Sequence, residues 1–312
     1  MSKYRTRLPQ LGNSLFLTDG GLETTLVFHQ GIDPPCFAAF DLLKNQAGVE
    51  TLRRYFVTYL EIARQRNLGF VLESPTWRAN PDWGAKLGYD ATALADANRK
   101  AIDLMLALRA AYETAQTPIV ISGNLGPRGD GYRPDALMST DAARDYHAAQ
   151  IETFAQTDAD MVAAFTINYI EEAIGIVQAA RNAAMPVVIA FTVETDGRLP
   201  TGDGLGEAIR RTDQETGGYP AYYMINCAHP SHFQHVLQED GGWRGRIRGL
   251  RANASKRSHA ELDESTELDA GNPQELGEEY HQLRALLPNL TVLGGCCGTD
   301  HRHVQAISAA CA

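Results

Sequence analysis

The chain has 312 residues, 44% of them hydrophobic, and sets 28 Lys and Arg against 38 Asp and Glu for a formal charge of -10. That length can bury one large core, while the acidic balance and the lack of basic runs argue against a nucleic-acid or anionic-membrane surface. No apolar stretch nears the roughly 20 residues that span a bilayer, no apolar segment follows the basic start, and an odd five cysteines make no disulfide framework, so a reducing cytoplasm is expected.

Eight short apolar runs begin near Leu15, Phe70, Ile119, Met161, Val187, Tyr222, Arg248 and Thr291. Their average interval, about 40 residues, suits a strand, a loop, a helix and a second loop. Helical spacing appears between them, in Val49, Leu52, Phe56, Tyr59 and Ala63, in Leu94, Ala97, Ala101, Leu104 and Leu108, and in Leu276, Tyr280, Leu283 and Leu287. Pro118 and Pro186 stand where a helix must stop and a strand begin. Strands alternating with helices pair in parallel. Eight units predict an α/β fold, a single (β/α)8 TIM barrel forming one domain over 1–312, with a doubly wound open sheet as the alternative.

The runs end in polar residues: Asp19, Glu73, Asn124, Thr166 with Asn168, Glu194, Asn226-Cys227, Asn253 and Cys296-Cys297. In a barrel these form one ring at the C-terminal mouth, where barrel enzymes keep their active sites. Asn and Thr commonly open loops; adjacent cysteines need another reason. Two long loops, 124–140 and 253–273, follow strands and should overhang the mouth as lids.

Cys227, Cys296 and Cys297 carry the most specific chemistry. Thiolates are soft ligands, and three of them leave one open position on a tetrahedral zinc ion. Adjacent cysteines depart from the common C-x2-4-C spacing, but Gly294, Gly295 and Gly298 allow backbone angles closed to other residues, so both sulfurs can turn toward one ion. Three other readings stay open: a vicinal Cys296–Cys297 disulfide, buried inert thiols, and His229 replacing a cysteine. The glycine doublet lacks the lysine and the spacing of phosphate-binding loops. Cys36 and Cys311 lie outside the motifs.

Asn226-Cys227 together with Gly294-Gly295-Cys296-Cys297-Gly298-Thr299 resembles the zinc signature of the homocysteine S-methyltransferase family. Thr18-Asp19-Gly20-Gly21-Leu22 is similar to that family's opening block, and Gly123–Pro127, Asp158–Val162 and Phe191–Gly197 to its middle blocks. The likeness runs in order over nearly the whole chain. It implies a zinc-dependent (β/α)8 barrel that moves a methyl group onto a thiol, with Zn2+ on Cys227, Cys296 and Cys297. It also implies that Asp19 meets the substrate amino group and that backbone N–H groups at Gly20, Gly21 and Leu22 receive its carboxylate. Two departures stand out. The usual Thr-x-(Ser/Thr)-Tyr-Gln-Ala reads Glu73-Ser74-Pro75-Thr76-Trp77-Arg78-Ala79 here, and Phe165 stands where the family has a glutamate for the homocysteine ammonium.

A free thiol has a pKa near 8.5 and is mostly protonated at neutral pH; zinc coordination removes the proton. A cationic methyl donor then loses charge as it reacts, which a low-dielectric site favours. The acids Asp19, Glu73 and Glu194 would favour such a cation, Trp77 could face it and Arg78 could bind a carboxylate. The expected partners are therefore a small thiol acceptor, homocysteine on the family likeness, and a small methyl donor, with no nucleic acid and no membrane. Homo-oligomerisation stays open, as do another thiol or selenol and a barrel that binds zinc or a ligand without turnover.

Overall fold

The structure, a computed structural model, describes residues 2–134, 136–238 and 241–312. Eight parallel strands close into a barrel in sequence order: β1 (Phe16–Leu17), β2 (Gly69–Glu73), β3 (Ile119–Leu125), β4 (Met161–Ile167), β5 (Val187–Phe191), β6 (Tyr222–Asn226), β7 (Ile247–Ala252) and β8 (Val292–Gly295). Closure is made by β8 pairing with β1, Phe16 opposite Val292 and Leu17 opposite Leu293. Each strand starts within one residue of its apolar run. The reason is physical: strands covered on both faces need apolar side chains on both, so they read as unbroken runs.

The principal helices are α1 (Gln46–Gln65), α2 (Ala91–Tyr112), α3 (Thr140–Ala155), α4 (Ile170–Asn182), α5 (Leu205–Thr216), α6 (Pro230–Phe233), α7 (Pro273–Leu286) and α8 (His301–Cys311). Side chains cap several starts: Asn45 accepts from the Gly48 N–H, Asp90 from Ala93 and Ser139 from Ala142, each answering a donor the helix cannot. The connection after β6 departs from the pattern. α6 has only four residues, and the chain returns through 3-10 turns at Val236–Gln238 and Gly242–Arg246. No helical period was legible there because the described residues of this connection form no long helix.

Two cores result. One lies between strands and helices. The other fills the barrel with Phe16, Val71, Val120, Met161, Ala163, Phe165, Val188, Ala190, Tyr222, Met224 and Val292. Alternation along β2 puts Glu73 on the same inner face as Val71. On β7, Gly249 abuts the inner Met224, so Arg251, two residues on, also points inward. At the opposite end Asp160 accepts from Arg109 at 2.6 Å and from the N–H groups of Ile121 and Tyr4. That is a structural plug at the face of a barrel that serves stability. No helix among the described residues is long and apolar enough to cross a membrane.

Candidate metal centre

Cys227 follows β6 directly, and Cys296 and Cys297 follow β8. The non-adjacent position Cys227 takes a left-handed backbone, φ 54°, a conformation a side-chain-bearing residue rarely adopts unless its surroundings hold it there. His259 supplies part of that hold, with Nε2 2.5 Å from the Cys227 carbonyl oxygen. The Asn253 amide donates to the same oxygen at 3.0 Å. After β8, Gly298 turns the chain at φ 78°. Gly294 and Gly295 act differently from the expected backbone freedom. They lie in extended strand, and any Cβ there would strike Thr18 and Thr299, so they are small because neighbouring chain approaches closely.

The three Sγ atoms lie within 4.8 Å of one another, and among the described residues no other set of His, Cys, Asp and Glu gathers as a candidate metal site. The Cys227 and Cys296 sulfurs lie in direct contact across a Cα separation of 5.5 Å, with Cys297 beside them. Reduced, the same three sulfurs suit a tetrahedral ion, whose ligand sulfurs sit about 3.8 Å apart for Zn–S bonds near 2.3 Å. Burial pushes the Cys297 thiol up from its ordinary value, only partly offset by the Tyr132 hydroxyl. His229 is not part of the cluster: it caps α6 through Ser231, and its Nε2 faces Glu279 at 3.3 Å. Cys36 is exposed and Cys311 is buried at the end of α8.

The two long loops meet over the cysteines. Tyr132, after β3, stacks on His259, after β7, with ring centroids 4.0 Å apart. The Tyr132 hydroxyl lies 3.7 Å from Cys297 Sγ. His259 Nδ1 faces Glu194 at 3.2 Å. Beneath them opens a cavity of about 400 Å³, lined by the three cysteines and by Asp19, Gly20, Gly21, Leu22, Glu73, Trp77 and Arg78. Glu194 is the one expected site residue absent from this lining; it braces His259 from behind.

The floor carries an ion pair that linear inspection did not reveal. Arg251 Nη1 donates to Asp19 Oδ1 at 2.7 Å, Nη2 to the Gly20 carbonyl at 3.0 Å and Nε to the Gly295 carbonyl at 3.0 Å. The Tyr55 hydroxyl donates to Asp19 Oδ2 at 2.9 Å. Burial lowers the Arg251 pKa, but Asp19 and Glu73 outweigh it and leave the guanidinium more firmly charged. Its cation lies 5.1 Å over the Phe165 ring. The Gly21 N–H is also taken, donating to the Thr299 carbonyl at 3.0 Å. Arg78 is wedged between Trp77 and Trp83, at 4.4 and 3.9 Å, so the cation that Trp77 faces is Arg78 itself.

Glu73 differs from Asp19. It is 4% exposed, and its Oε2 has no hydrogen-bond partner. Burial raises it to about 8, with Ser122 and Arg251 pulling it down and Asp19 pushing it up. Glu23, half-buried on the wall, is raised to about 7, chiefly by burial. Arg251, Tyr55, Tyr132, His259 and Glu23 were not singled out in the linear reading. The alternation along β7 was the available signal for Arg251, since it places that residue on the inner face.

Comparison with known proteins agrees with this geometry. A family model described as homocysteine S-methyltransferase matches residues 16–311. A selenocysteine Se-methyltransferase of Brassica oleracea var. italica is 22% identical over 93% of this chain and 87% of its own. The homocysteine methyltransferase MmuM of Escherichia coli superposes in its oxidized form with TM-score 0.76, at 20% identity over 98% of this chain and 99% of that one. Its metallated form gives 0.73, at 19% identity over 97% and 98%. The fold is a TIM barrel, and this chain belongs to the homocysteine S-methyltransferase family of enzymes.

Proposed function

We propose that this enzyme transfers a methyl group from a small cationic donor, most simply a sulfonium, to the thiol of homocysteine and so forms methionine. The observation that carries this reading is the gathering of three sulfurs within 4.8 Å on the wall of a ligand-sized cavity. Held by Cys227, Cys296 and Cys297, a zinc ion would supply Lewis-acid activation of an incoming thiol at neutral pH. The rest is done by the chain. Tyr132 and His259 cover the cysteines and restrict water. Apolar lining from Phe56, Trp77 and Phe165 keeps the cavity weakly polarisable, which favours a transfer that discharges a cation. The reduced thiols this requires suit the cytoplasm, where we place the enzyme, acting on small molecules alone.

The deciding experiment is to incubate reduced, zinc-loaded protein with homocysteine and a panel of methylated sulfonium and ammonium donors, and to look for methionine by mass spectrometry. Methionine from one donor supports the reading; none from any donor overturns it. A selenol acceptor is the second reading, favoured by the likeness to the plant selenocysteine enzyme. Selenocysteine in the same assay separates the two.

A further inference from the structure

An acceptor that is an amino acid brings an ammonium group into the cavity, and the floor has few ways to answer it. Asp19 already has one oxygen on the Arg251 guanidinium and the other on the Tyr55 hydroxyl. Phe165 offers only a ring, and that ring lies under Arg251. Glu194 is outside the cavity and holds His259. Glu23 stands half-buried on the wall. Among the described residues one carboxyl remains that is buried, lines the cavity and has an oxygen with no hydrogen-bond partner, that of Glu73.

We propose that Glu73 receives the acceptor's α-ammonium, and that it gives up its carboxyl proton as the ammonium docks. The inference rests on the amino-acid thiol reading above and names the residue that makes it specific. A buried carboxyl with an unanswered oxygen is costly unless something completes it. The groups facing Glu73 are Asp19 beyond β1, Ser122 on β3, Tyr222 on β6 and Arg251 on β7. Arg251 is committed to Asp19, and its pull on Glu73 only partly offsets the effect of burial. Burial holds its pKa at about 8, so at neutral pH it is largely a neutral acid. An arriving ammonium favours the ionised form. The proton leaves Glu73 for solvent, the ammonium keeps its three, and an ion pair forms inside the cavity.

The test is calorimetry on zinc-loaded protein at pH 7 in buffers of different ionisation enthalpy, with L-methionine and its desamino analogue 4-(methylsulfanyl)butanoate as probes. Wild type should bind L-methionine about tenfold or more tighter than the analogue, releasing about one proton per amino acid bound. The analogue should release none. Glu73→Gln should lose both the preference and the proton release, yet bind the analogue as wild type does, which also shows that the site is folded. Glu23→Gln should keep both. Preference and proton release persisting in Glu73→Gln, or disappearing in Glu23→Gln instead, would overturn the assignment. So would a wild type that binds the two probes alike. The methyl-transfer assay is read separately: a protein that methylates a thiol yet shows no amino-acid preference keeps its function and loses this inference.

Discussion

At the scale of single residues, charge balance governs the site. Arg251 and Asp19 neutralise each other where water is excluded, and removing one partner leaves a buried charge alone. Arg251→Met should cost about 3–5 kcal/mol in urea unfolding. The double change Asp19→Asn with Arg251→Met should recover much of that loss, because no lone charge remains. A double variant as unstable as the single would show that the pair's charge is not what matters. Glu73 gives a different signature. Its folded pKa lies above its unfolded value, so the folded state keeps a proton that the unfolded state has lost. Its contribution is fully present below the unfolded pKa and fades as pH rises through the folded one. Stability should therefore fall between about pH 5 and pH 8, and Glu73→Gln should reduce that slope, leaving the part that the raised Glu23 contributes. An unchanged slope would mean that Glu73 is already ionised in the folded protein.

At the scale of elements, the candidate metal centre is made by strand ends and two covering loops. His259, on the short helix His259–Asp263, touches the Cys227 carbonyl, Glu194 and Tyr132 at once. Groups that orient ligands typically govern metal affinity by 10–100-fold. His259→Ala should weaken zinc by about that factor in a chelator competition. Tyr132→Phe, which keeps the stacking, should weaken it less. Equal affinity in His259→Ala would reduce the loop to a cover. The cysteines themselves should be decisive: alanine at Cys227, Cys296 or Cys297 should greatly lower zinc content with the melting profile retained, while Cys36→Ala and Cys311→Ala leave it unchanged. Full zinc in all three single variants would remove the cluster as the metal site.

At the scale of the whole molecule, the barrel was readable because doubly covered strands are apolar throughout and repeat at a steady interval. The cysteine trio was readable because sulfur at a strand exit has few other uses. The ion pair was not, since Arg251 and Asp19 are separated by 232 positions and meet only when β7, β8 and β1 close the barrel. The packing of Gly294 against Thr18 and of Gly295 against Thr299 was not legible for a related reason: side chains that approach a glycine only once the chain folds leave no mark beside it in the sequence. Closure also makes the function collective, since β6 brings one sulfur and β8 two, with lids from the loops after β3 and β7. The account stands or falls on whether that assembled centre moves a methyl group. The most direct measurement gives reduced, zinc-loaded protein a deuteromethyl sulfonium donor with homocysteine and follows labelled methionine by mass spectrometry, beside Cys297→Ala. Labelled methionine from the wild type and none above background from the variant is the predicted result. Equal product from both, or from protein stripped of zinc, would contradict it.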